Sequence, residues 1–161
     1  KSGDVIPVKI LGTIALIDEG ETDWKVITID TRDELAAQMN NIGDVEKLLP
    51  GLLRATVEWF KIYKIPDGKP ANKFAFNGEA KDREFAEKVV EETHQFWQEM
   101  MENKAGEHQL DLKNITLANS FTINDEQAKQ YLETRPASDT VEAVPIADQV
   151  AIDKWHHVKL I

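Results

Sequence analysis

The segment Asp18-Glu19-Gly20-Glu21-Thr22-Asp23-Trp24-Lys25 places four carboxylates within six residues and a lysine two positions beyond the last of them. Negative charges at that density repel one another unless water or a cation lies among them. Hard divalent ions such as Mg²⁺ take carboxylate oxygens together with water and phosphate, so the segment has the donor chemistry for them. Asp18 and Asp23 are five residues apart, and a straight strand would point them to opposite faces. Gly20 permits a chain reversal that would bring them together. Lys25 shares a strand face with Asp23, where its ammonium could meet a metal-bound phosphate. The same residues also read as a solvated acidic hairpin with a lysine beside it. The oxygen spacing is not that of an EF-hand loop, and its closing glutamate is absent.

A second group of chemically useful residues ends a helical pattern at Tyr63 and Lys64. Tyr63 either brings a phenol to a site or completes the helix's apolar stripe with its hydroxyl at the rim. Lys64 either binds an anion or sits favourably at the negative end of the helix dipole. Other candidates carry less. His94 lies beside Trp97 and reads as a rim residue, while His156 and His157 are adjacent and would face opposite ways on a strand. Asn114-Ile115-Thr116 is a glycosylation sequon, which matters only in a secreted chain. There is no phosphate-binding P-loop, nucleophile elbow or dinucleotide fingerprint.

The elements that must position these groups are α+β in character, strands first and helices after. Val5 to Ile17 is rich in Val and Ile and predicts one long strand or two, with Gly12 as a bend. A polar turn and a second strand, Asp23 to Asp30, follow, so strands fall within 5–30. Asp44 to Leu49 reads as a short turn. Pro50 suits the first position of a helix over about 50–65, with Leu52, Thr56, Trp59, Phe60 and Tyr63 as its apolar stripe. The run Pro66 to Pro70 is a turn, and a second helix spans about 82–103, with Phe85, Val89, Thr93, Phe96 and Met100 inward. Ile115 to Leu117 reads as a short strand and Asp125 to Glu133 as a weak helix. The extended tail 135–161 contains Trp155, whose size and apolarity suit an interface or a return onto its own subunit.

The 161 residues form a single domain with a real core, 42% hydrophobic and 30% charged. A net charge of −10 argues against nucleic-acid or anionic-membrane partners. No apolar run near the N-terminus is long enough to cross a bilayer. The absence of cysteine excludes disulfides and fits a cytoplasmic or mitochondrial protein. The chain begins at Lys1 and enters a strand almost at once, as a processed or truncated product would.

Ala15 to Val26 (ALIDEGETDWKV) resembles the signature of family I inorganic pyrophosphatases of the eukaryotic type. So does the run Trp59 to Pro70 (WFKIYKIPDGKP), with Asn72 and Phe74-Ala75-Phe76-Asn77 following at the right spacing. The similarity covers about Val5 to Trp97 and resumes weakly at Ile152-Asp153-Lys154-Trp155. It implies Mg²⁺-dependent hydrolysis of pyrophosphate to two phosphates. Asp18 and Asp23 would then be metal ligands, Lys25, Tyr63 and Lys64 would bind phosphate, and Glu21 would be a supporting acid. It also implies an OB-like β-barrel with packed helices, of which this chain is the C-terminal part and lacks the first strands. We expect an upstream acidic DxDPxD-type motif to supply further metal ligands, and a homodimer with Trp155 near its interface. Two functions of different class follow: the pyrophosphatase, active only with its N-terminal segment, or a non-catalytic truncated module that binds divalent ions weakly and self-associates.

Overall fold

The computed structural model describes residues 3–103 and 110–134, which divide into two compact units, the first running through Glu92 and the second beginning at Thr93. The expected tail 135–161, with Trp155, lies outside the described residues.

The first unit is built on a hairpin of β1 (Val8–Asp18) and β2 (Glu21–Asp30). Glu19 and Gly20 form its two-residue turn with φ of 51° and 95°. Positive φ at both central positions matches the right-handed twist of the strands and is the reason a glycine stands at one of them. The register pairs Asp18 with Glu21, Leu16 with Asp23 and Ile14 with Lys25. Directly opposed residues share a face, so Leu16, Asp18, Glu21, Asp23 and Lys25 all project to one side of the sheet. The register shifts between Ile10 and Gly12, which leaves Leu11 as the extra residue of a bulge. The bend expected at Gly12 takes this form. A Cβ at Gly12 would lie 2.4 Å from the Lys81 carbonyl oxygen, so the backbones approach too closely there for any side chain.

A two-residue strand, β3 (Lys73–Phe74), pairs antiparallel with Leu16 and Ile17 on the other side of β1, giving the order β2-β1-β3. A bridge between Thr13 and Lys81 extends that contact. β3 covers this side of β1 only at Leu16 and Ile17, so Val8 to Leu11 have no strand beside them there among the described residues. β1 is central, and its ladder starts at Val8. Among the described residues, the outer sides of both β2 and β3 have no strand beside them. The sheet is open and three-stranded; a closed barrel is not present among the described residues.

The side of the sheet that carries the carboxylates at its tip carries the core at its base. Leu11, Met39 and Val45 are buried together, with Ile27, Ile29, Leu35, Ile42, Leu48 and Leu53 packed around them. The segment after β2 is held down by Lys9, whose ammonium donates to the carbonyls of Ala36 and Met39 and to Asn40 Oδ1. Of Asp44 to Leu49, expected as a turn, residues 44–48 belong to helix α1 (Ile42–Leu48) and Leu49 is its C-cap. Its signal was present in the sequence: Asn41 caps the first turn and Asp44 reaches back to the Asn41 N–H, a reciprocal capping box.

Helix α2 (Leu52–Ile62) starts after Gly51, so Pro50 precedes it instead of opening it. The inward face is also rotated from the expected stripe. Leu53, Thr56, Val57 and Phe60 are partly buried, whereas Leu52 and Trp59 are 46% and 56% exposed. On the opposite side of the sheet, Trp24 packs against Phe85 of α3 (Arg83–Asn103) at 5.7 Å between ring centres. Ala86 and Val89 are buried there.

In the second unit, Trp97 and Met101 are the more buried residues of the continuing helix, and Phe96 and Met100 are exposed, a rotation of about one residue from the expected stripe. His94 stacks on Trp97 at 5.3 Å. Ile115 to Leu117 is no strand. Asn114 Oδ1 accepts the N–H groups of Thr116 and Leu117, and only Asn114 itself makes a bridge, to Thr122. A short polar side chain has captured the donors that a ladder would need. Helix α4 spans Asp125–Thr134.

Candidate functional site

The hairpin register decides where the acidic residues go. Because the turn takes only Glu19 and Gly20, Asp18 and Asp23 become diagonal neighbours on one face, roughly 7–8 Å apart. Glu21 stands opposite Asp18 on that face, and Lys25 lies one pair further along. α2 packs on the same face, and its C-terminal end brings in the second group of residues. Tyr63 caps the helix and Lys64 lies just past it, opening a 3₁₀ turn at Ile65–Asp67. Lys64 therefore sits beyond the last helical turn, not within it.

The two groups meet through ion pairs. The Lys64 ammonium lies 2.7 Å from both carboxylate oxygens of Asp18, a contact across 46 residues of sequence. The Lys25 ammonium lies 2.7 Å from Asp23 Oδ2. Lys69 reaches Glu19 at 3.2 Å. Each of these three acids thus faces its own lysine. The Asp18 carboxylate, chiefly through its hydrogen bonds, holds the Lys64 ammonium above its ordinary pKa, against the opposing effect of desolvation. Lys64 consequently stays cationic through the whole neutral and mildly alkaline range.

Tyr63 is fixed by aromatic neighbours. Its ring stacks on Trp59 at 4.8 Å and 18° and meets Phe60 edge-on at 5.9 Å. The turn after Lys64 is tied back to α2 by Asn72, whose side chain donates to the Phe60 carbonyl at 2.8 Å and whose N–H donates to the Lys61 carbonyl at 2.9 Å. These bonds satisfy carbonyls that the helix end leaves open. Ile17 to Gly20 on one side and Lys64 with Lys69 to Lys73 on the other border a cleft of about 480 Å³. Another, of about 470 Å³, opens on Asp18, Glu19, Glu21, Thr22 and Asp23.

Asp18, Glu21, Asp23, Lys25, Tyr63 and Lys64 are therefore assembled around one end of the sheet. Glu19, the fourth carboxylate of the hairpin segment, joins them with Lys69, Phe60 and Asn72, the last three of which residue types alone gave no reason to single out. For Lys69 the signal was the lysine spacing of 61, 64, 69 and 73 around a tight turn.

Among the described residues, no three histidine, aspartate or glutamate side chains gather closely enough to hold a metal ion by themselves. The donors present nonetheless suit a hard cation. They are oxygen-only, carried on a rigid strand pair, and two in number for an ion that keeps several waters and takes phosphate oxygens. Also among the described residues, no helix is long and apolar enough to cross a membrane.

The chain is thus an open antiparallel sheet flanked by helices, with acidic and basic side chains interleaved at its tip. The profile of the inorganic pyrophosphatase family matches residues 1–98, and the chain belongs to that family. An inorganic pyrophosphatase of Drosophila melanogaster is 53% identical over 99% of this chain and 46% of its own length. The structure of an inorganic pyrophosphatase from Schistosoma japonicum is 41% identical, with a TM-score of 0.74 over 97% of this chain and 54% of that one. A truncated vacuolar soluble pyrophosphatase of Trypanosoma cruzi, in complex with PPi, is 49% identical with a TM-score of 0.61, covering 62% of this chain and 38% of that one. The chain spans about half the length of the curated relatives it matches.

Proposed function

We propose that the full-length protein containing this chain hydrolyses inorganic pyrophosphate to two phosphates, with Mg²⁺ as its metal. The observation that carries the reading is the pairing of Asp18 with Lys64 and of Asp23 with Lys25 on one sheet face. Such pairs hold matched halves of a metal–phosphate site, each neutralising the other until ligands arrive. A divalent ion at Asp18 and Asp23 would supply positive charge to the phosphoryl oxygens and make a bound water more acidic.

The chain's own residues do the rest. With Asp18 and Asp23 holding a metal, the ammonium groups of Lys25 and Lys64 would be free to pair with phosphate oxygens, so that no charge on either side would be left uncompensated. The Tyr63 hydroxyl, on a ring held by Trp59 and Phe60, adds a neutral donor. Glu21 keeps the face acidic beside Asp18. Water oxygen bonds to one phosphorus, the bridging P–O bond breaks with its electron pair going to the leaving phosphate, and the water's two protons end one on each phosphate product. Positioning and electrostatics are the main demands of phosphoryl transfer.

The rest of the reading concerns the parts beyond this chain. Two carboxylates are too few to hold several metal ions, so further acidic ligands come from the remainder of the full-length protein. Its strands add to this sheet beside the open stretch of β1, Val8 to Leu11, to complete an OB-like barrel, and residues 1–161 are the C-terminal part of that one domain. The protein acts as a cytoplasmic homodimer, with Trp155 near the interface. High identity to pyrophosphatases over nearly the whole chain favours the enzyme over a non-catalytic module. Phosphorus NMR of the full-length protein with pyrophosphate and Mg²⁺ tests this. The pyrophosphate resonance should give way to inorganic phosphate alone, and chelation of the metal should stop the conversion. A pyrophosphate signal that persists would refute the assignment.

A further inference from the structure

Lys25 has a long flexible side chain and a point charge, so a single carboxylate fixes its ammonium only loosely. A second group holds it. Its Nζ lies over the ring of Phe60, 5.1 Å from the centroid, while Asp23 contacts it on the other hand at 2.7 Å. That ring is itself unusually well anchored. It meets Trp59 at 4.9 Å and 71° and Tyr63 at 5.9 Å and 88°, and the Phe60 carbonyl receives the Asn72 amide. Phe60 comes from α2 and Lys25 from β2, so the contact links the helix that carries Tyr63 and Lys64 to the strand that carries Asp23.

We propose that Phe60 is a positioning residue, whose ring face holds the Lys25 ammonium in place for phosphate. This rests on the pyrophosphatase reading of the site. The ring attracts a cation through its quadrupole without consuming it. When metal draws the Asp23 carboxylate away, the ring remains, and Lys25 stays aimed into the site with its donors free for phosphate oxygens. A carboxylate in the same place would instead compete with the substrate.

The test compares Phe60→Leu, which keeps apolar bulk but removes the π face, with Phe60→Tyr, which keeps it, in the full-length protein. Phe60→Leu should lower kcat/KM by roughly 3- to 10-fold with the melting midpoint little changed, and Phe60→Tyr should stay within about twofold of the parent. Added to Lys25→Met, Phe60→Leu should cost distinctly less than it does alone, because only its edge contact with Tyr63 is then left to lose. In the NMR spectrum of the parent, the Lys25 ε-methylene protons should carry an upfield ring-current shift that Phe60→Leu removes and Phe60→Tyr retains. The same fold loss with or without Lys25, or unshifted Lys25 ε protons in the parent, would overturn the proposal. A parent that leaves pyrophosphate intact contradicts the hydrolase reading instead, and the ring-current measurement then decides the Phe60 contact alone.

Discussion

Replacing Asp23 by Asn in the full-length protein should lower turnover of pyrophosphate by about 10²–10³-fold. The substitution keeps shape and removes one negative charge from a face where Asp18, Glu21 and Asp23 project together. A neutral amide oxygen compensates a divalent ion poorly, so the metal is held less often and less well placed. The change also releases Lys25, whose ammonium pairs with Asp23 Oδ2 at 2.7 Å. Raising Mg²⁺ should recover only part of the loss, since the charge deficit persists once the ion is bound. The fold should survive, because Asp23 lies at the sheet's tip while Leu11, Met39 and Val45 form the core at its base. Steady-state kinetics across a Mg²⁺ series reads this directly. Near-parental turnover at modest Mg²⁺ would remove Asp23 from the metal site.

The second large effect belongs to Lys64. Its removal in Lys64→Met takes away an ammonium that contacts both oxygens of Asp18. A charge-assisted hydrogen bond to phosphate is worth about 1.5–3 kcal/mol, so kcat/KM for pyrophosphate should fall by about 10- to 100-fold. The metal should respond in the opposite sense. In the parent, the ammonium of Lys64 competes with a cation for Asp18, and without it Mg²⁺ binding in the absence of phosphate should tighten. Calorimetric titration with Mg²⁺ alone, beside kinetics, separates these. Weakening of both ligands to the same extent would mean that Lys64 merely supports the local structure.

The parts of this fold that were legible in the sequence are those where one local rule dominates. The acidic hairpin was legible because a glycine in a polar turn separates a Val- and Ile-rich run from an alternating strand. Helix α1 was misread as a turn because it is short and its hydrophobic pattern slight, although Asn41 and Asp44 carried its cap. The rotated faces of α2 and α3 have a different cause. Both helices have apolar residues on more than one side, and the packing partner, not the period, chooses which side is buried. Trp59 is the clearest case: a large aromatic left 56% exposed, with its ring spent on stacking Tyr63.

The site was legible in halves. The carboxylate half lies within eight residues, and Gly20 announced the reversal that puts Asp18 and Asp23 on one face. That Lys64 would meet Asp18 could not be read from spacing, since nothing local links positions 46 apart. Residues on their own left Tyr63 and Lys64 as a helix end; only the resemblance joined them to the hairpin. Phe60 and Asn72 stayed hidden because their part is to hold other groups, and such residues have no chemical signature of their own.

The central claim is that the acidic hairpin and the lysine-bearing end of α2 are two halves of one metal–phosphate site. Diffraction from crystals of the full-length protein grown with Mn²⁺ and phosphate tests it, since Mn²⁺ shares the oxygen preference of Mg²⁺ and is located by its anomalous signal. The account predicts Mn²⁺ bonded to carboxylate oxygens of Asp18 and Asp23 at about 2.1–2.2 Å, with phosphate oxygens on Lys25, Tyr63 and Lys64 and the Asp18–Lys64 pair opened. Mn²⁺ bound elsewhere, or phosphate bound while the Asp18–Lys64 and Asp23–Lys25 pairs remain closed, would contradict it.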